Sequence, residues 1–121
     1  MNILMIEDDH YKAQKVLEHL TDHEVDVKKS YNSGMRALLQ EEYDAVILDM
    51  TFPKFDEGSM PTPEMGLLVL REMKRKNVTP PVLVHSGDEV DVSDYDHVKG
   101  YIVADNTCIQ SRLLAFLDQL V

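Results

Sequence analysis

A chain of 121 residues with 12 basic and 22 acidic side chains carries a net charge of −10, which disfavours nucleic acid as a direct partner, because phosphate contacts need Lys and Arg. The length suits a single domain, residues 1–121, that buries about two thirds of its unfolded surface without staples. Cys108 is the only cysteine, no apolar run nears the roughly 18 residues of a membrane span, and no basic-then-apolar leader opens the chain, so a cytoplasmic protein off the membrane is expected.

Asn2-Ile3-Leu4-Met5-Ile6 reads as a buried strand and ends in Glu7-Asp8-Asp9. Ala13, Val16, Leu17 and Leu20 recur at i, i+3, i+4 and i+7 and predict an amphipathic helix, with Asp8 or Asp9 as its cap. Residues 24–29 alternate, with Val25 and Val27 on one face, like a half-buried strand. Met35, Leu38 and Leu39 predict a short helix after Asn32-Ser33. Ala45-Val46-Ile47-Leu48 is the central strand, apolar on both faces, and runs straight into Asp49. Residues 51–63 hold three prolines and Gly58 and are expected to loop at the sheet's carboxyl edge. Thr62-Pro63-Glu64 then predicts a helix start, with Thr as cap and Pro at the first helical position, followed by the stripe Met65, Leu68, Val69 and Met73. The basic cluster Arg71, Lys74, Arg75 and Lys76 reads as the solvated carboxyl end of that helix. Pro80-Pro81 precedes a strand at Val82-Leu83-Val84, which Ser86-Gly87 follows. Residues 88–98, with five acids, predict a short or frayed helix. Residues 100–103 form the fifth strand, and Ile109, Leu113, Phe116, Leu117 and Leu120 the last helical stripe. Five strands alternating with five helices imply a parallel sheet covered on both faces.

In such sheets ligands bind beyond the carboxyl ends of the strands. Two neighbouring strands that end in acids, at Glu7-Asp8-Asp9 and at Asp49, would gather carboxylates there. Clustered carboxylates raise each other's pKa unless a cation sits among them, and an oxygen-only donor set suggests magnesium rather than zinc.

Ile6-Glu7-Asp8-Asp9, Ile47-Leu48-Asp49-Met50 with Pro53, Val84-His85-Ser86-Gly87 and Gly100-Tyr101-Ile102-Val103 follow one another at the ends of the right strands. In this the chain resembles, over essentially its whole length, the receiver domain of two-component response regulators. The resemblance implies an α/β, flavodoxin-like (βα)5 fold, a doubly wound five-stranded parallel sheet of order 2-1-3-4-5. It implies that Asp49 accepts a phosphoryl group from a sensor histidine kinase or a histidine phosphotransfer protein. Glu7, Asp8, Asp49 and the Thr51 backbone carbonyl would hold Mg²⁺. Ser86 would bond a phosphoryl oxygen, Gly87 would leave access to it, and Tyr101 would be the switch aromatic. The chain would then be no enzyme on outside substrates, only the acceptor of a phosphoryl group on its own Asp49. With no output domain after the last predicted helix, either a separate output protein is the expected partner or the chain is a fragment excised from a longer protein.

The chain departs from the family in three places. The family's lysine, three residues after the aromatic, is Ala104, and the proline after it is Asp105. Residues 54–64 look like an insertion beside the site, expected to be a lid or a partner element outside the core. The short span from Ser86 to Tyr101 trims the fourth helix, on the face many receivers use for homodimers and output. These departures favour an alternative, a pseudo-receiver that binds proteins without phosphorylation. A magnesium-dependent phosphatase would need a second aspartate where Thr51 stands. His19 and His23 have the i, i+4 spacing of a metal pair but fall where the first helix should end, and no glutamate follows the first as a zinc protease needs. His85 is expected to pack beside Ser86, and Cys108 to be structural.

Overall fold

The computed structural model describes residues 1–87, 89–103 and 109–120. Strands β1 (Asn2–Ile6), β2 (Glu24–Lys28), β3 (Ala45–Leu48), β4 (Val82–Ser86) and β5 (Val98–Val103) form one parallel sheet in the order β2-β1-β3-β4-β5. Helices α1 (His10–Leu17), α2 (Tyr31–Gln40), α3 (Met65–Lys76) and α4 (Ile109–Asp118) cover it. Leu4, Ile6, Val46, Leu48 and Val84 face α2 and α3, packing with Met35, Leu38, Val69 and Met73. Ile3, Met5, Ile47, Leu83 and Ile102 face α1 and α4, packing with Ala13, Val16, Leu113 and Phe116. β3 is apolar at every position, as are residues 3–6 of β1 and 82–84 of β4, because both faces of these strands are covered. Edge strand β2 has one neighbour, β1, and alternates partly buried Val25 with exposed Asp26.

The sheet and its order are as the sequence predicts, but the helices differ from it. Among the described residues there are four, not five. The expected helix between β4 and β5 is missing among the described residues, and residues 89–97 run as turns and irregular chain. Side chains compete for their backbone: the Asp91 carboxylate accepts the Ser93 N–H at 2.9 Å, and the Tyr101 hydroxyl accepts the Val90 N–H at 2.9 Å. Val90, Val92 and Tyr95 still pack on the α2–α3 side of the core. The α3 helix starts at Met65, later than Thr62-Pro63 implied, and Glu64 is its N-cap without a side-chain bond. Thr62 is diverted into an antiparallel bridge with Phe52, its N–H donating to the Phe52 carbonyl at 3.1 Å. The basic cluster does lie on α3, with Lys74, Arg75 and Lys76 in its last turn. Ala104, Asp105, Cys108 and Asp88 lie outside the described residues. No helix among the described residues is long and apolar enough to cross a membrane.

The inserted residues do not stand free. Phe52 and Pro53 are buried, and the Pro53 and Lys54 carbonyls accept the Tyr31 and Asn32 N–H groups, both at 2.9 Å. Asp56 then accepts the Ser30 hydroxyl at 2.6 Å and the Ser33 hydroxyl at 2.9 Å. The loop is pinned to the start of α2.

Candidate metal and phosphoryl site

The ladders that β1 makes with β3 and with β2 each run one residue past the strands. The Asp49 N–H donates to the Ile6 carbonyl at 3.1 Å, and the Glu7 N–H donates to the Lys28 carbonyl at 2.9 Å. Glu7 and Asp49 are thereby set side by side at the carboxyl edge, each 4% exposed, so bulk water hardly reaches either carboxyl group. Carboxylate oxygens of Glu7, Asp8 and Asp49 lie within 4.8 Å of one another. Asp49 Oδ1 is fixed by the Met50 N–H at 2.7 Å.

Asp9, the fourth acid in the run, belongs to the helix. Its Oδ1 accepts the Tyr11 N–H at 2.9 Å and the Lys12 N–H at 3.2 Å, which starts α1 directly after the acids. A side chain in the first turn of a helix leans back towards the N-terminus. Lys12 does so, and its Nζ lies 3.3 Å from Asp49 Oδ2 and 3.6 Å from Glu7 Oε1. The sequence reading missed this cation; its only local signal is a lysine three residues after the capping aspartate.

Charge and burial act together on these groups. Burial, with Asp49 as neighbour, pushes the Glu7 carboxyl up to about 8. Burial is also the main cause that raises Asp8. Burial opposes the Lys12 ammonium, but Asp49 and Glu7 more than offset it and hold its pKa above the ordinary value. A crowded set of carboxylate oxygens fits a hard divalent cation, and Lys12 shares two of those acids with any ion that enters.

The other predicted residues fall around this cluster. Ser86 closes β4, whose Val84 stands opposite Leu48, so it lies at the same sheet edge as Asp49. Thr51 follows two positions after Asp49 and is half-buried, and Gly87 is exposed. Tyr101 pairs with Val84 across β4–β5, and its hydroxyl is tied to Val90. His85 is buried, its Nε2 has no hydrogen-bond partner among the described residues, and burial, then Lys12, lowers its pKa. The site does not draw in His19 or His23. His19 lies beyond the end of α1, and His23 Nδ1 meets the N-terminal ammonium at 3.2 Å. The insertion's own cation points elsewhere, with Lys54 Nζ 5.6 Å from the centre of the Phe55 ring.

This sheet order, with acids gathered at the carboxyl edge of its central strands, is that of a response-regulator receiver domain, and the chain has that fold. It is 37% identical over 86 residues to the transcriptional regulatory protein QseB of Haemophilus influenzae, a match that covers 69% of this chain and 35% of that protein. The chain thus spans about a third of the length of this relative. Among solved structures it is similar to a CheY-like receiver domain from Methylobacillus flagellatus, with a TM-score of 0.76, 19% identity and coverage of 100% and 98% of the two chains. It is also similar to the response regulator TrrA from Thermotoga maritima in complex with Mg²⁺-BeF, with a TM-score of 0.75, 21% identity and coverage of 99% and 98%. No family model matches the chain.

Proposed function

We propose that residues 1–121 act as a receiver unit in two-component signalling, with Asp49 as the phosphoryl acceptor. The observation that carries this reading is the gathering of Glu7, Asp8 and Asp49 within 4.8 Å at the edge of the sheet. The donors would be a sensor histidine kinase or a histidine phosphotransfer protein, and the output would be contact with another protein. A Mg²⁺ held by Glu7, Asp8, Asp49 and the Thr51 carbonyl would supply positive charge to the transferring group. The Met50 amide fixes one oxygen of Asp49 and so orients the carboxylate. Ser86 supports the reading as a hydroxyl-bearing residue at the same edge, able to donate to a phosphoryl oxygen. Tyr101, bonded to the segment where a fourth helix is lacking, would carry the change of state to that surface.

Incubation with acetyl phosphate and Mg²⁺ should add the mass of one phosphoryl group to the wild type and none to Asp49→Asn. Labelling that survives in Asp49→Asn would show that another residue is the acceptor. One observation favours a second reading, a phosphorylation-independent binding module. Lys12 already neutralises part of the acidic cluster, so the acids are not left unpaired without a metal. A wild type that neither takes label nor melts higher with Mg²⁺ would favour that module.

A further inference from the structure

We infer that Lys12 is the phosphoryl-facing cation of this site: it pairs with Asp49 before transfer and with the new phosphoryl oxygens after it, and it competes with the divalent cation for the same acids. The inference rests on the acceptor role proposed for Asp49. Three observations carry it. Lys12 Nζ is in ion-pair contact with both buried acids, at 3.3 Å from Asp49 and 3.6 Å from Glu7. Among the described residues, no other cation forms an ion pair with the cluster, and Lys54 is drawn off over Phe55. Position 104, after β5, is an alanine and offers no charge.

The chemistry follows from where Lys12 stands. A carboxylate oxygen of Asp49 attacks the phosphorus of acetyl phosphate, a P–O bond forms, and the P–O bond to acetate breaks. Acetate leaves with the electron pair, and no proton moves. Phosphorylated Asp49 gives up its own charge, and the phosphoryl group brings about two negative charges into a pocket that keeps Glu7 and Asp8. Oδ1 is held by the Met50 N–H, so the new bond forms on Oδ2, the oxygen that Lys12 touches, and the phosphoryl oxygens then lie two bonds beyond it. Its flexible four-carbon stem and three donors allow it to turn from carboxylate to phosphoryl while Asp9 holds its backbone. Before transfer the same contacts set Lys12 against any divalent ion, because both draw on Glu7 and Asp49.

Lys12→Met keeps the stem and the backbone cap but removes the charge, and Lys12→Arg restores charge on another shape. Cooperative melting checks that each variant folds. Titration calorimetry with Mg²⁺ alone, on unphosphorylated protein, should find Lys12→Met binding about threefold tighter or more. Acetyl phosphate labelling at saturating Mg²⁺, followed by intact mass, should be at least about tenfold slower in Lys12→Met, with much of the rate regained in Lys12→Arg. Equal labelling rates in Lys12→Met and wild type would overturn the phosphoryl role. If the wild type takes no label at all, the acceptor reading fails and the phosphoryl role with it. The competition is then decided by the titration, where an unchanged Mg²⁺ affinity in Lys12→Met would overturn it.

Discussion

At Gly66 the chain has no room for a side chain. A Cβ there would fall 2.6 Å from Met50 Cα and 2.7 Å from the Asp49 carbonyl oxygen, and both are backbone atoms that cannot turn aside. The Gly66 N–H donates to the Met50 carbonyl at 3.0 Å, so the first turn of α3 is pressed onto the strand end that carries Asp49. Gly66→Ala should therefore cost about 1–3 kcal/mol, as overpacking does, and should also weaken Mg²⁺ binding by shifting Asp49. A urea midpoint and a Mg²⁺ titration measure the two effects, and a wild-type value for either would contradict this account. Gly34 makes a useful control. Its nearest obstacle, at 2.5 Å, is Ile6 Cδ1, the far end of a flexible side chain, so Gly34→Ala should be milder. At this scale the sequence was legible where chemistry and strand ends coincide. Glu7, Asp8 and Asp49 stand out because an acid that closes a buried apolar run has no packing role. Lys12 does not stand out, since its contact crosses from α1 to β3 and depends on a side chain's reach, which no local pattern encodes. Gly66 does not stand out either, because the atoms that forbid a Cβ come from Asp49 and Met50, far off in the chain.

The loop at residues 54–64 behaves as an outer cap for α2. The first N–H groups of a helix lack partners within it. Here the Pro53 and Lys54 carbonyls take those of Tyr31 and Asn32, while Ser30 takes that of Ser33 at 3.1 Å. Asp56 binds the hydroxyls of both serines, and these bonds hold its carboxyl below the ordinary value. Asp56→Ala should cost about 1 kcal/mol, the usual effect of losing a cap, and should speed amide exchange at 31–33. Ser30→Ala should cost more, because Ser30 is fully buried and is both cap and anchor. Unchanged exchange at the start of α2 in both variants would show that the loop merely rests there. The sequence marked this stretch as an insertion from its length and prolines. It could not show the attachment, because the partners Ser30 and Ser33 lie before another strand. The segment at 89–97 has the converse history. Its weak periodicity already argued against a firm helix, but only the structure shows Tyr101 and Asp91 binding the N–H groups of Val90 and Ser93.

Buried titratable groups give the whole molecule opposing responses to pH. His97 is buried, its Nε2 has no hydrogen-bond partner among the described residues, and it faces the Tyr95 ring. Burial lowers its pKa below 6.5, helped by Lys74 and Lys99 and opposed by Asp96; His85 is lowered likewise by burial and Lys12. Below that value the unfolded chain takes up protons that the folded chain refuses, so acidification costs stability through both histidines. Glu7 acts in the other direction. Its folded pKa of about 8 stands above the ordinary 4.5, so in that window the folded protein holds a proton that the unfolded chain has released. Its contribution is fully present below 4.5 and is lost as pH rises to about 8, which means that acidification gains stability through Glu7. The two effects overlap between about pH 5.5 and 7.5, and the wild type without divalent cations should show a shallow dependence there. Glu7→Gln removes the opposing contribution, so its urea midpoint should fall more steeply on acidification than that of the wild type. His97→Gln should fall less steeply. If both variants kept the wild-type slope, neither burial would govern the fold's response to pH, and the exposed acids of this −10 chain would have to account for it.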